Sequence, residues 1–102
     1  MSEFVPVVAA SELPPGSGME ATIEGQVVAL FNVGGEFRAI GNRCVHRGGP
    51  LGQGMLEGGV VLCPWHAWGY DTQTGVSTVN PEFKVPCYEV KVEAGQVWVK
   101  LG

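Results

Sequence analysis

The sequence predicts an all-β protein, and three observations carry that expectation. Sixteen glycines and seven prolines in 102 residues require many turns. No segment offers ten residues of clean helical periodicity. Near the end of the chain Tyr88, Val90 and Val92 alternate with Glu89, Lys91 and Glu93, and beyond Ala94-Gly95 the residues Val97, Val99 and Leu101 alternate with Trp98 and Lys100. This period of two is the mark of a hairpin with one face in a core.

Taken in order, Phe4 to Val8 reads as a first short strand, which the turn Glu12-Leu13-Pro14-Pro15-Gly16 ends. Strands over Met19 to Ile23 and Gln26 to Asn32 flank Glu24-Gly25, a tight hairpin turn. The run Val27-Val28-Ala29-Leu30-Phe31 is continuously apolar, so it is expected as a central strand buried on both faces. Gly34-Gly35 then turns the chain into a strand over Glu36 to Gly41. From Asn42 to about Asn80 the glycines, prolines and two of the three tryptophans concentrate, which reads as a subdomain inserted between strands of a base sheet, with short strands over Val60 to Leu62 and Trp68 to Asp71 and a turn at Thr72 to Gly75. The whole chain, 1–102, is expected as one domain.

With 45% hydrophobic and only 16% charged residues, the chain is a folded globule rather than a disordered one. A net charge of −4 argues against nucleic acid or an anionic membrane surface as partner. No apolar run approaches the roughly 18 residues a membrane span needs, and Met1 to Ala10 lacks the basic start and apolar centre of a signal peptide, so a cytoplasmic protein is expected. Three cysteines cannot all pair. Cys87 is expected as a small buried hydrophobe in a strand.

Chemistry concentrates in two stretches, Cys44-Val45-His46 and Cys63-Pro64-Trp65-His66. Each supplies one thiolate and one imidazole, a mirrored arrangement that suits a metal centre with two unlike ends. Structural zinc sites prefer a Cys pair followed by a His pair, a spacing absent here.

The pattern C-x-H-x16-C-x-x-H, with Arg47-Gly48-Gly49-Pro50-Leu51 after the first pair and Ala67-Trp68-Gly69-Tyr70-Asp71 and Thr74-Gly75 after the second, resembles the Rieske iron–sulfur family. The resemblance implies stacked antiparallel sheets and one [2Fe–2S] cluster, with Cys44 and Cys63 on an inner iron and His46 and His66 on an outer, solvent-facing one. With two thiolates and two neutral imidazoles the oxidised core sums to zero charge, whereas four thiolates would make it a dianion. The neutral site accepts an electron more easily.

Around this ligand set, glycines at 48, 49, 52 and 54 let the first loop fold tightly, and Pro50 stiffens it. Pro81 stands where the family carries a third, proline-bearing loop. Arg43 and Arg47 flank the first ligand pair in an otherwise acidic chain and are candidates to orient a partner or favour a reduced cluster. In the respiratory-complex branch of the family a disulfide links positions that here are Gly49 and Trp65, and a serine that bonds a bridging sulfide stands where this chain has Trp68. Tyr70 matches a tyrosine that donates to a cysteine ligand. The chain therefore resembles the soluble, low-potential ferredoxin branch: a monomeric one-electron carrier between a reductase and a terminal, ring-hydroxylating oxygenase, and not itself an enzyme. Two other readings stay open, the small subunit of a nitrite-reductase-type enzyme and a zinc-stabilised interaction module.

Overall fold

The structure, a computed structural model, describes residues 3–45, 48–65 and 68–101. Among these residues nine strands run in chain order: β1 (Phe4–Ala9), β2 (Gly18–Ile23), β3 (Gln26–Val33), β4 (Glu36–Gly41), β5 (Met55–Glu57), β6 (Val60–Leu62), β7 (Gly69–Asp71), β8 (Cys87–Glu93) and β9 (Gln96–Lys100). Six of them form an antiparallel sheet in the order β1-β9-β8-β4-β3-β2, and β5-β6-β7 form a second, three-stranded one. The all-β expectation holds.

Turn chemistry sets the hairpins. Glu24-Gly25 and Ala94-Gly95 join their strands with both central residues at positive φ, 51° and 82° in the first and 55° and 76° in the second, the geometry that matches the natural twist of paired strands. Pro6 sits on β1, at the sheet's edge, where its missing N–H leaves no interior ladder broken, and the β1–β9 register shifts between Pro6 and Val8.

The large sheet curls until its two edge strands, β1 and β2, approach each other. Alternation along β3 then serves two cores. Val28 and Leu30 point into the curl with Ala39, Val97, Val99 and Leu13, while Ala29 and Phe31 point outward with Ile40 to meet Leu51, Val61, Tyr70 and Val85. Val28 to Phe31 are fully buried, which fits a strand covered on both faces, but Val27 at its start stays exposed. Fully burying an aliphatic or aromatic side chain contributes about 1.5–3 kcal/mol. The outward core is what fastens the β5-β6-β7 segment to the base sheet.

Two polar clamps flank that apolar seam. From β2, Glu20 accepts from Asn42 Nδ2 (2.6 Å) and Gln53 Nε2 (3.0 Å), while Asn42 Oδ1 accepts from the Gly52 N–H (2.7 Å). The two amide donors, Gln53 foremost, hold the Glu20 carboxyl below its ordinary value. From β4, Arg38 Nη1 donates to the buried Thr72 hydroxyl (3.2 Å), which itself donates to the Gly59 carbonyl (2.7 Å). The Arg38 Nε is buried with no hydrogen-bond partner among the described residues.

Three local expectations need correction. Cys87 opens β8 but is exposed, not buried. Its neighbours Tyr88 and Val90 face the inner core, so by the alternation of a strand Cys87 faces the other way. Val92, expected on the core face, is exposed because it lies at the hairpin end. The β5 strand was not anticipated.

Candidate metal centre

Both cysteine-bearing loops are closed the same way. The Cys44 N–H donates to the Gly49 carbonyl (2.9 Å), and the Cys63 N–H donates to the Trp68 carbonyl (2.7 Å), so each cysteine opens a loop fastened five residues further on. The first loop is locked again outside, where the Leu51 N–H donates to the Asn42 carbonyl (2.7 Å) and Arg43 bridges Pro50. Pro50, at φ −76°, leads directly into a 3-10 turn over Leu51–Gln53. The second loop joins β6 to β7. His46, Arg47 and His66, named above, lie outside the described residues.

Packing draws the loops together. Cys44 and Cys63 are 1% and 2% exposed and belong to one core with Tyr70. Gly49 sits against the second loop so closely that a Cβ there would come within 2.6 Å of Cys63 Sγ and 3.2 Å of the Trp65 ring. Only glycine fits. Positions 49 and 65, which in another branch would carry a disulfide, are thus neighbours here and meet as a glycine under an indole.

Tyr70, fully buried on β7, brings its hydroxyl 3.3 Å from Cys44 Sγ. The same oxygen accepts the Val45 N–H (3.1 Å), which leaves the phenolic proton for the sulfur. Burial first, and then the bond to Cys44, push the Tyr70 hydroxyl up to about 12, so it remains a donor across the working pH range. Trp68 stacks on Phe83 with ring centroids 5.6 Å apart. Pro81 is exposed within a turn closed by the Phe83 N–H on the Asn80 carbonyl (3.0 Å), and through Phe83 that turn is tied to Trp68.

The donor set fits a thiolate-held iron–sulfur group. Two cysteine sulfurs from two loops lie in one buried core, one of them with a hydroxyl aimed at it, and a bare glycine lets the two loops approach closely. The sequence matches the model of the family described as "Rieske [2Fe-2S] domain" over residues 3–89. The chain belongs to this Rieske family. Its cofactor is accordingly a Rieske-type [2Fe–2S] cluster.

Among the Rieske relatives, the ferredoxin component of the naphthalene 1,2-dioxygenase system of Pseudomonas aeruginosa is 34% identical over 100 residues, covering 97% of this chain and 96% of that one. The ferredoxin subunit of 3-phenylpropionate/cinnamic acid dioxygenase of Escherichia coli K12 is 37% identical over 93 residues, 89% of this chain and 87% of its own. The solved ferredoxin of carbazole 1,9a-dioxygenase from Nocardioides aromaticivorans IC177 superposes with a TM-score of 0.88 at 27% identity, covering 94% and 95% of the two chains. A chain in a complex of reduced oxygenase and oxidized ferredoxin of carbazole 1,9a-dioxygenase gives 0.87 at 31% identity, covering 94% and 91%.

The sequence pointed to the two cysteine-bearing loops but not to the clamps beside them. Glu20, Asn42 and Gln53 carried no motif, and their contacts join residues 22 and 33 positions apart.

Proposed function

We propose that this Rieske protein is a one-electron carrier that takes an electron from a reductase and passes it to a terminal, ring-hydroxylating oxygenase. The observation that carries the reading is the pair of matched loops that set Cys44 and Cys63 in one core beside the Tyr70 hydroxyl. Two comparisons support the acceptor: relatives named as ferredoxin components of dioxygenase systems cover nearly all of this chain, and a structural neighbour comes from an oxygenase–ferredoxin complex.

The proposed ligands are Cys44, His46, Cys63 and His66, within a single domain whose ligand-bearing subdomain spans about residues 42–80. When bound, the cluster supplies a reversible one-electron couple. The chain's own residues do the rest. Burial keeps water from the two thiols, Tyr70 donates to Cys44, and Gly49 lets Trp65 close over the junction of the loops. Oxygen activation would need a separate mononuclear iron with two histidines and a carboxylate, and both histidines of this chain are assigned to the cluster. Catalysis therefore belongs to the partner. Among the described residues no helix is long and apolar enough to cross a membrane; a monomer in the cytoplasm completes the proposal.

The test is direct. Purified protein should be coloured, carry two irons and two sulfides per chain, show nitrogen coupling from two ligands in its reduced spectrum, and pass electrons to an oxygenase component. Cys44→Ser and Cys63→Ser should each lose the spectrum. A colourless zinc protein, or a normal cluster in either serine variant, would overturn the assignment.

A further inference from the structure

Beside the first ligand loop lies an open cleft of about 610 Å³. Val27 and the β2–β3 turn line it on one side, Pro86 and Tyr88 on another, and Arg43, Gly48 and Pro50 of the ligand loop on a third. The chain has ten acidic residues, yet none lines this cleft, and Arg43 is the charged group among the described lining residues.

Arg43 immediately precedes Cys44 and its side chain lies across Gly48, where a Cβ would come within 3.1 Å of Arg43 Nε. Across the cleft the Tyr88 hydroxyl accepts from Gln26 Nε2, so its own proton is left to donate. Burial pushes the Tyr88 hydroxyl up, which keeps it a donor. A planar fork of N–H groups and a phenolic O–H, set among Val27, Pro50 and Pro86, match a carboxylate carried on an apolar stem.

We propose that this cleft receives a carboxylate-bearing segment of the electron-transfer partner, so that Arg43 fixes the docking register beside the first ligand loop. The proposal rests on the electron-carrier reading above. Charge decides the occupant. A chain of net charge −4 repels an acidic segment on balance, and a cleft without acids but with an arginine is where such a segment can settle. An open cleft also suits a passing protein segment better than a small metabolite, since small-molecule sites bury most of their ligand.

The experiment uses oxidised, cluster-loaded protein labelled with nitrogen-15. It is titrated with the capped peptide acetyl-Glu-Phe-Glu-amide and with its Gln-Phe-Gln counterpart, following the amides of Gly25, Val27 and Tyr88. Saturable shifts confined to these residues are expected with the acidic peptide. Binding should weaken about fivefold for the neutral peptide and for Arg43→Gln, the scale of an exposed ion pair, and should be lost in Val27→Trp, which fills the cleft and keeps the charge.

In stopped-flow oxidation by the oxygenase component of the Pseudomonas aeruginosa naphthalene 1,2-dioxygenase system, both variants should slow transfer, while neutral benzoquinone oxidises all three proteins equally. Equal peptide binding by wild type and Arg43→Gln, or shifts scattered over the surface, would overturn the proposal. So would tight binding of phenylacetate combined with transfer indifferent to both variants, which would mark a small-acid site instead. If the wild type reduces benzoquinone but no oxygenase, the carrier reading fails, and the peptide titration still decides the cleft.

Discussion

Replacing Tyr70 by phenylalanine removes one oxygen from a fully buried side chain and keeps the ring in the core it shares with Val61 and Cys44. The lost group sits 3.3 Å from Cys44 Sγ and 3.1 Å from the Val45 nitrogen. A reduced cluster is more negative than an oxidised one, so the hydroxyl's bond to the sulfur is stronger after reduction, and its removal costs the reduced state more. If about 0.5–1.5 kcal/mol is lost selectively there, one-electron conversion gives a fall of about 20–65 mV. The Val45 N–H also loses its acceptor. Voltammetry of both proteins in one buffer is the assay, with thermal unfolding as a control for packing. An unchanged or raised potential in Tyr70→Phe would refute the claim that this hydroxyl favours the reduced cluster.

Gly49→Ala should cost about 1–3 kcal/mol of stability and lower the iron content, because its Cβ would press on Cys63 Sγ and the Trp65 ring; thermal unfolding and iron-to-protein ratios measure both. Glu20, whose folded pKa lies below its unfolded one, stabilises above the ordinary carboxylate range and loses that contribution as pH falls through the lowered value. Glu20→Gln should therefore unfold at a lower temperature near neutral pH, and the gap should close in acid. Cys87→Ala should keep the cluster and change stability by no more than about 0.5 kcal/mol, since the thiol is exposed; lost iron in a folded variant would place Cys87 among the ligands.

How much was legible depended on the range of the interaction. Period-two alternation and the Glu24-Gly25 and Ala94-Gly95 turns are local signals, and they located the strands of the large sheet to within a residue or two. The same alternation implied that Cys87, in step with Glu89 and Lys91, faces away from Tyr88 and Val90. General cysteine burial is the weaker rule here, and the strand's own parity overrides it. Strand β5 has only Met55, Leu56 and Glu57, with Met55 65% exposed; it exists through its pairing with β6, and no pattern of three residues could announce it. The two cysteine-bearing loops stood out in the sequence because metal chemistry restricts residue type and spacing. The clamps did not, since a glutamate on β2 meeting an asparagine and a glutamine beyond the next two strands leaves no periodicity to read.

That division bears on how the ligand loops stay together. A disulfide between positions 49 and 65 would tie them covalently; in this chain an indole over a glycine brings the same positions into contact with no bond between them. Trp65 is 57% exposed, so burial of its ring contributes only part of what a core tryptophan would. The backbone bonds that close each loop act within that loop and not across the pair. Across the pair, the contacts include the shared core around Cys44, Cys63 and Tyr70, the Tyr70 hydroxyl's bonds with Cys44 and the Val45 N–H, and the contact at Gly49. A group ligated from both loops adds its binding free energy to this modest set. The inner core of the curled sheet contains neither cysteine and is coupled to that ligation through β3 and β4, whose residues form part of both cores. Loss of the cluster should therefore loosen the loops and the outward core first.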